Sequence, residues 1–102
     1  MRVAASYNEL YGNIPVSVKD NVQTAPPPYK AEILKYLQDW RTGTVAPKKI
    51  MDVVDGKTSI GPVAEHTDGE YIWTSTLIYY FDKYNVPLRD DFVAHVLSKI
   101  KQ

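Results

Sequence analysis

Asp68-Gly69 lies between the runs Val63-Ala64-Glu65-His66-Thr67 and Glu70-Tyr71-Ile72-Trp73, and no other dipeptide constrains this chain as much. Both runs are rich in residues that suit a pleated surface. Asp-Gly tolerates the positive φ that a tight hairpin loop demands. The pattern predicts a β-hairpin at about residues 63–73 with a type I′ turn. A two-residue loop would pair Thr67 with Glu70. His66 would then oppose Tyr71 and Ala64 oppose Trp73 on one face, with Val63, Glu65 and Ile72 on the other. Pro62 has no backbone N–H, so it stops the first strand from extending backwards.

Around this hairpin the hydrophobic pattern is helical. Tyr29, Ile33, Tyr36, Leu37 and Trp40 recur on one side of a helix that ends near residues 41–43. Residues 47–54 place Ile50, Met51 and Val54 together, with Pro47 suited to a first turn and Asp55-Gly56 to a stop. A helix over residues 75–85 would bury Leu77, Phe81 and Tyr84, keep Ile78 and Tyr80 on its flanks, and break at Asn85-Val86-Pro87. The last helix, over residues 89–101, has Val93, Val96, Leu97 and Ile100 as its inner stripe. Asp90 and Asp91 start it and Lys99 and Lys101 end it, as the helix dipole prefers. Nearer the start, Ser6-Tyr7-Asn8-Glu9 fits a capping box and Gly12 a helix stop. Residues 13–21 admit either a strand, through the alternation of Ile14, Val16 and Val18, or a short helix. Thr24-Ala25-Pro26-Pro27-Pro28 reads as a stiff extended connector, with a proline-rich ligand for another protein as the functional alternative. The expectation is a single α+β domain over residues 1–102: an N-terminal segment to residue 28, and a main body of several helices with the hairpin.

Length and charge narrow the function. One core fits in 102 residues. The 12 basic residues balance the 12 acidic ones, without the basic excess that phosphate binding uses, so no nucleic-acid partner is expected. The lack of cysteine removes disulfides, thiolate nucleophiles and Cys-ligated metals, and favours a reducing cytoplasm. No stretch approaches the roughly 20 apolar residues of a membrane span, and no signal-peptide core is present.

Catalytic and metal constellations are hard to build from what remains. His66, Asp68 and Glu70 supply metal-ligand types within five residues, but Asp68 is needed at the turn and the expected pairing splits His66 from Glu70. His95 falls on the polar side of the last helix, about 150° from its apolar stripe, as a solvated histidine would. No serine sits in a nucleophile elbow, and adjacent Asp90 and Asp91 diverge by about 100° on a helix. The chain is therefore read as a non-enzyme with no catalytic, metal or cofactor site. Eight tyrosines and two tryptophans point instead to binding, since these side chains anchor interfaces. Tyr79 and Tyr80 do not fit one buried stripe and are the candidates for an aromatic partner surface. Glu65, Asp68 and Glu70 near the turn would make an acidic one, suited to a basic toxin through steered association.

From Ile33 to His95 the chain resembles a family of short, largely uncharacterised bacterial proteins. The resemblance is carried by Ile33-Leu34-Lys35-Tyr36-Leu37, Ile60-Gly61-Pro62, and above all Thr67-Asp68-Gly69-Glu70-Tyr71-Ile72-Trp73. It continues through Leu77, Tyr79-Tyr80, Tyr84-Asn85-Val86-Pro87-Leu88, Phe92 and His95. Thr74 stands where the pattern has a proline, and Pro87-Leu88 reverses its usual order. Small proteins of this style occur as immunity proteins that neutralise a toxin. The resemblance thus implies a cytoplasmic binding protein with a protein partner, a toxin domain being one form. A structural or adaptor subunit, a small enzyme and a nucleic-acid factor are the alternatives.

Overall fold

A computed structural model describes residues 2–5, 7, 17–40, 45–46 and 50–100 of the chain. It is an α+β fold with a mixed four-stranded sheet in the order Arg2–Val3, Tyr71–Thr74, Val63–Thr67, Val45–Ala46. The expected hairpin forms its centre: β5 (Val63–Thr67) runs antiparallel to β6 (Tyr71–Thr74). β2 (Val45–Ala46) adds antiparallel to β5, while β1 (Arg2–Val3) adds parallel to β6. Strands this short leave no periodicity to read, and the sequence shows neither.

The hairpin register differs from the expected one by two residues. His66 lies opposite Trp73 and Thr67 opposite Ile72, and the loop is Gly69-Glu70 rather than Asp68-Gly69. The cause is the Asp68 carboxylate. It accepts the backbone N–H groups of Glu70 and Tyr71, both at 2.9 Å, so Asp68 closes the strand and Gly69 alone takes positive φ, at 97°. A positive φ at only the first central position is the type II′ pattern, not type I′. Because the slip is two residues and side chains alternate with period two, His66, Trp73 and Tyr71 keep the face assigned to them.

Three helices pack against the sheet. α1 (Lys30–Asp39) buries Ile33, Tyr36 and Leu37. Tyr29 and Trp40, expected on that stripe, lie just outside the helix, Tyr29 in the left-handed region and Trp40 extended; both are exposed, Trp40 by 43%. α2 (Ser75–Tyr84) follows β6 directly. The Thr74 hydroxyl caps it by accepting the Leu77 N–H, and Asn85 ends it in the left-handed conformation. α3 (Asp90–Ile100) buries Phe92 and Val96. Its core stripe is turned from the expected one: Phe92 and Val96 enter the core, Val93 and Leu97 stay half-buried and Ile100 is 39% exposed.

Residues 50–54, the described part of the short stretch expected over residues 47–54, are not helical. Ile50–Met51 (β3) pairs antiparallel with Ser59–Ile60 (β4). Asp52 accepts the N–H groups of Val54 and Asp55, and Asp55 those of Lys57 and Thr58. Two aspartates in succession thus offer the backbone turns instead of helix. Residues 47–49 of that expectation lie outside the described residues, as do Ser6, Asn8, Glu9 and Gly12 of the capping box. Of residues 13–21, the described part is a 3-10 turn at Val18–Asn21 capped by Ser17.

At the centre, Trp73 is fully buried with its indole N–H on the Leu37 carbonyl at 2.9 Å. Tyr36 and Phe92 pack on it from α1 and α3, with ring centroids 6.1 and 5.4 Å away. Among the described residues no helix is long and apolar enough to cross a membrane.

Candidate functional site

α2 brings Tyr79, Tyr80, Lys83 and Tyr84 against the loop between β3 and β4. Asp52 lies there with its carboxylate wholly shielded from solvent. Its Oδ2 accepts the Tyr79 hydroxyl at 2.6 Å and the Tyr84 hydroxyl at 2.7 Å, and Lys83 Nζ stands 3.7 Å away. Burial pushes the Asp52 carboxyl up, but the hydrogen bonds from Tyr79, Tyr84 and the two backbone N–H groups outweigh it, and the group is held below the usual carboxylate range. Burial and the Asp52 hydrogen bond push Tyr84 up to about 12. The Lys83 ammonium sits 5.5 and 5.3 Å from the Tyr79 and Tyr84 ring centres and bridges to Asp55 at 3.4 Å.

This cluster changes the reading of the aromatic surface. Tyr79, expected to face away from the core, is half-buried with its hydroxyl donated to Asp52. Tyr80, expected at a partner surface, is 0% exposed, and its hydroxyl oxygen accepts the Val53 N–H at 3.1 Å. Counting apolar positions places these residues on a flank. Their polar tips instead find partners in a segment distant in sequence, which that count ignores. The doublet Asp52…Asp55-Gly56 was the usable signal, because two turn-forming aspartates argue for a loop that needs an anchor.

The second cluster sits at the hairpin turn. The Asp68 side chain is only 3% exposed. Its Oδ2 takes the Tyr36 hydroxyl at 2.5 Å and lies 2.7 Å from His95 Nε2, while Oδ1 holds the two turn N–H groups. Burial raises the Asp68 carboxyl, but the bonds from Tyr36, from the Tyr71 and Glu70 N–H groups and from His95 hold it at about 2. His95 is not the solvated residue expected from its helical position. The turn of α3 buries it to 11% exposure, its Nδ1 stands 3.5 Å from Glu70 Oε2, and the Tyr71 ring packs 4.8 Å away. Both imidazole nitrogens face carboxylates.

These placements dissolve the acidic surface of Glu65, Asp68 and Glu70. Asp68 is inside, Glu70 is exposed in the turn, and Glu65 is exposed on the other face of β5. His66 is buried, stacked on Trp73, with Nδ1 against the Trp40 carbonyl. Among the described residues no three His, Asp or Glu side chains converge as a metal site would need. Asp91 turns to the Tyr71 hydroxyl and Arg89, away from Asp90.

The remaining feature is an apolar cleft of about 610 Å³ between the proline connector and α3. Its lining includes Pro27 and Pro28 of the connector, Phe81 of α2, and Val93, Ala94 and Leu97 of α3. Exposed Tyr29 stands beside it. Just before the connector, the Gln23 N–H donates to the Tyr84 carbonyl at 2.9 Å, and Asn85 Nδ2 to the Gln23 carbonyl at 3.1 Å. Composition does not reveal this cleft. It exists because Phe92, rather than Val93, leads the core stripe of α3, leaving Val93 only partly buried against the core and Leu97 half-buried at the cleft. No family model, curated protein or solved structure matches this chain.

Proposed function

We propose that the chain is a protein-binding domain of the bacterial cytoplasm, and that the cleft beside α3 is the surface it binds with. One observation supports this above the rest: Val93 and Leu97 are patterned for burial, yet together with Ala94 they line an open cleft whose lining also includes Pro27 and Pro28. An apolar recess with preformed walls loses little entropy on binding and releases water when filled. The sequence resemblance gives toxin neutralisation as the form of that binding. The tyrosines expected to carry it, Tyr79 and Tyr80, serve the fold instead, so the anchoring area moves to the cleft and Tyr29.

The partner envisaged is a protein with an exposed apolar segment bearing positive charge, because the acidic residue Asp90 is among those lining the cleft. Co-expression with the protein encoded immediately upstream in the native genome tests the reading. A complex that survives size-exclusion chromatography, together with protection of the host cell from that neighbour's toxicity, is the expected result. A chain that stays alone and gives no protection would sink the toxin-neutralising role. Ala94→Gln then asks which surface is used: it fills the cleft with an uncharged side chain on an exposed helical position, and should weaken the complex without unfolding the domain.

A further inference from the structure

Resting on that reading, we propose that the partner segment seated in the cleft is an amphipathic α-helix carrying an arginine or lysine against Asp90. Asp90, Val93, Ala94 and Leu97 are spaced i, i+3, i+4, i+7, a straight stripe along two turns of α3. Such a stripe extends about 10 Å at 1.5 Å per residue, and its ridges fit the grooves of another helix.

The backbone around the cleft argues for the same occupant. Among the lining residues, the N–H groups of Gln23, Asn85 and Val93 donate within the chain, to the carbonyls of Tyr84, Phe81 and Arg89, and Pro27, Pro28 and Pro87 have no N–H to offer. An extended peptide gains affinity by pairing its main chain with a partner's free N–H and C=O groups. Against these engaged groups and apolar side chains it would bury its own backbone unpaired. A helix satisfies its backbone internally and needs from the cleft only apolar area.

Charge completes the match. Among the described residues no hydrogen bond or ion pair engages the Asp90 carboxylate, and the nearby cations are committed elsewhere. Arg89 Nε donates to Asp91 at 3.0 Å, and Lys30 Nζ donates to the Asp82 carbonyl at 2.7 Å and to Asn85 Oδ1 at 2.5 Å. A cation on the incoming helix would meet a carboxylate with no competing partner at the edge of an apolar recess.

The full chain can be titrated, by fluorescence anisotropy, into three labelled peptides of about 18 residues, long enough to be substantially helical. The first carries leucines at i, i+3, i+4 and i+7 with an arginine beside the stripe. The second has glutamate in place of the arginine, and the third a central proline. The arginine peptide should bind, the glutamate peptide about five- to tenfold more weakly, and the proline peptide not measurably. Asp90→Asn should erase the difference between the first two, and Ala94→Gln should weaken both. Equal binding of the arginine and glutamate peptides removes the charge claim, and tight binding of the proline peptide replaces the helix by an extended segment. Binding of the apolar dye 1-anilinonaphthalene-8-sulfonate with rejection of every peptide would make the cleft a small-molecule site and overturn the proposal. An upstream partner whose complex Ala94→Gln weakens, alongside rejection of all three peptides, leaves protein binding intact and discards only the helix.

Discussion

Asp52 and Asp68 are both buried carboxylates, yet they are anchored differently. Asp52 takes two tyrosine hydroxyls from a single helix, α2, plus two N–H groups of its own loop. It fastens one loop to one helix. Asp68 takes two N–H groups from its turn, the Tyr36 hydroxyl from α1 and His95 from α3. It joins the hairpin to two helices at once. A buried charge is tolerated in either place because each oxygen is satisfied, but removing it should have different reach.

The largest effect is therefore expected at Asp68. Asp68→Ala should destabilise by about 3–4 kcal/mol, since it leaves a buried tyrosine hydroxyl and the turn N–H groups unpaired and loosens three elements. Asp52→Ala should cost about 2–3 kcal/mol, because Tyr79 keeps Lys83 at 3.1 Å. Urea unfolding measures both, and equal costs would break the distinction between a two-element and a three-element joint. Tyr79→Ala belongs with the Asp52 series and should be clearly destabilising, since it removes one of the two hydroxyls that Asp52 Oδ2 accepts.

Acid should act next. Asp68 has an ordinary value of 3.8 and a folded value of about 2. With the folded value depressed, its contribution is present above about pH 4 and is lost as pH falls through about 2. It amounts to something on the order of 2 kcal/mol. Asp52 is lowered too, so it adds to the same acid limb. Between pH 4 and pH 2 the wild-type protein should lose more stability than Asp68→Asn. Parallel acid limbs for the two proteins would mean that the carboxylate is not what holds the turn.

The smallest effect sharpens the comparison from the opposite side. Thr76 is 2% exposed, and its hydroxyl is the one buried side-chain polar atom among the described residues without a hydrogen-bond partner. If satisfaction of each polar atom is what makes the two aspartates tolerable, Thr76→Val should be neutral or stabilising by up to about 1 kcal/mol. A loss of more than that in thermal or urea unfolding would show that the hydroxyl has a partner in solution, such as a bound water.

What the sequence reveals and hides follows from distance along the chain. The hairpin at residues 63–73, the helices over residues 30–39, 75–84 and 90–100 and the α+β class are written in local patterns of period two and 3.6. The register was missed because it depends on where one Asp68 oxygen points, and Asp-Gly is compatible with either turn. The rotation of α3 was missed because Phe92, Val93, Val96 and Leu97 are all apolar, and only packing against Trp73 and Tyr71 selects Phe92. Beyond the turn signal of Asp52 and Asp55-Gly56, the partners in the two aspartate clusters are not visible, since Tyr36 and Asp68 are 32 residues apart, as are Asp52 and Tyr84. The cleft inherits that blindness, being what the selection of Phe92 leaves uncovered.

β1 has a bearing on synthesis in the cell. Arg2 and Val3 pair with Tyr71 and Ile72, Ala4 accepts the Arg89 N–H, and the Tyr7 hydroxyl reaches the Pro87 carbonyl across 80 residues. A ribosome extending the chain at about 5–20 residues per second must run for roughly 4–16 s after Tyr7 is made before its partner exists. Buried Ala4, Ala5 and Tyr7 are therefore among the first of these side chains to be synthesised and among the last able to dock. Closing so long a loop is also what slows folding once the chain is released. Until residue 87 has been made, Ala4, Ala5 and Tyr7 lack the partners that bury them and stay open to chaperones and proteases.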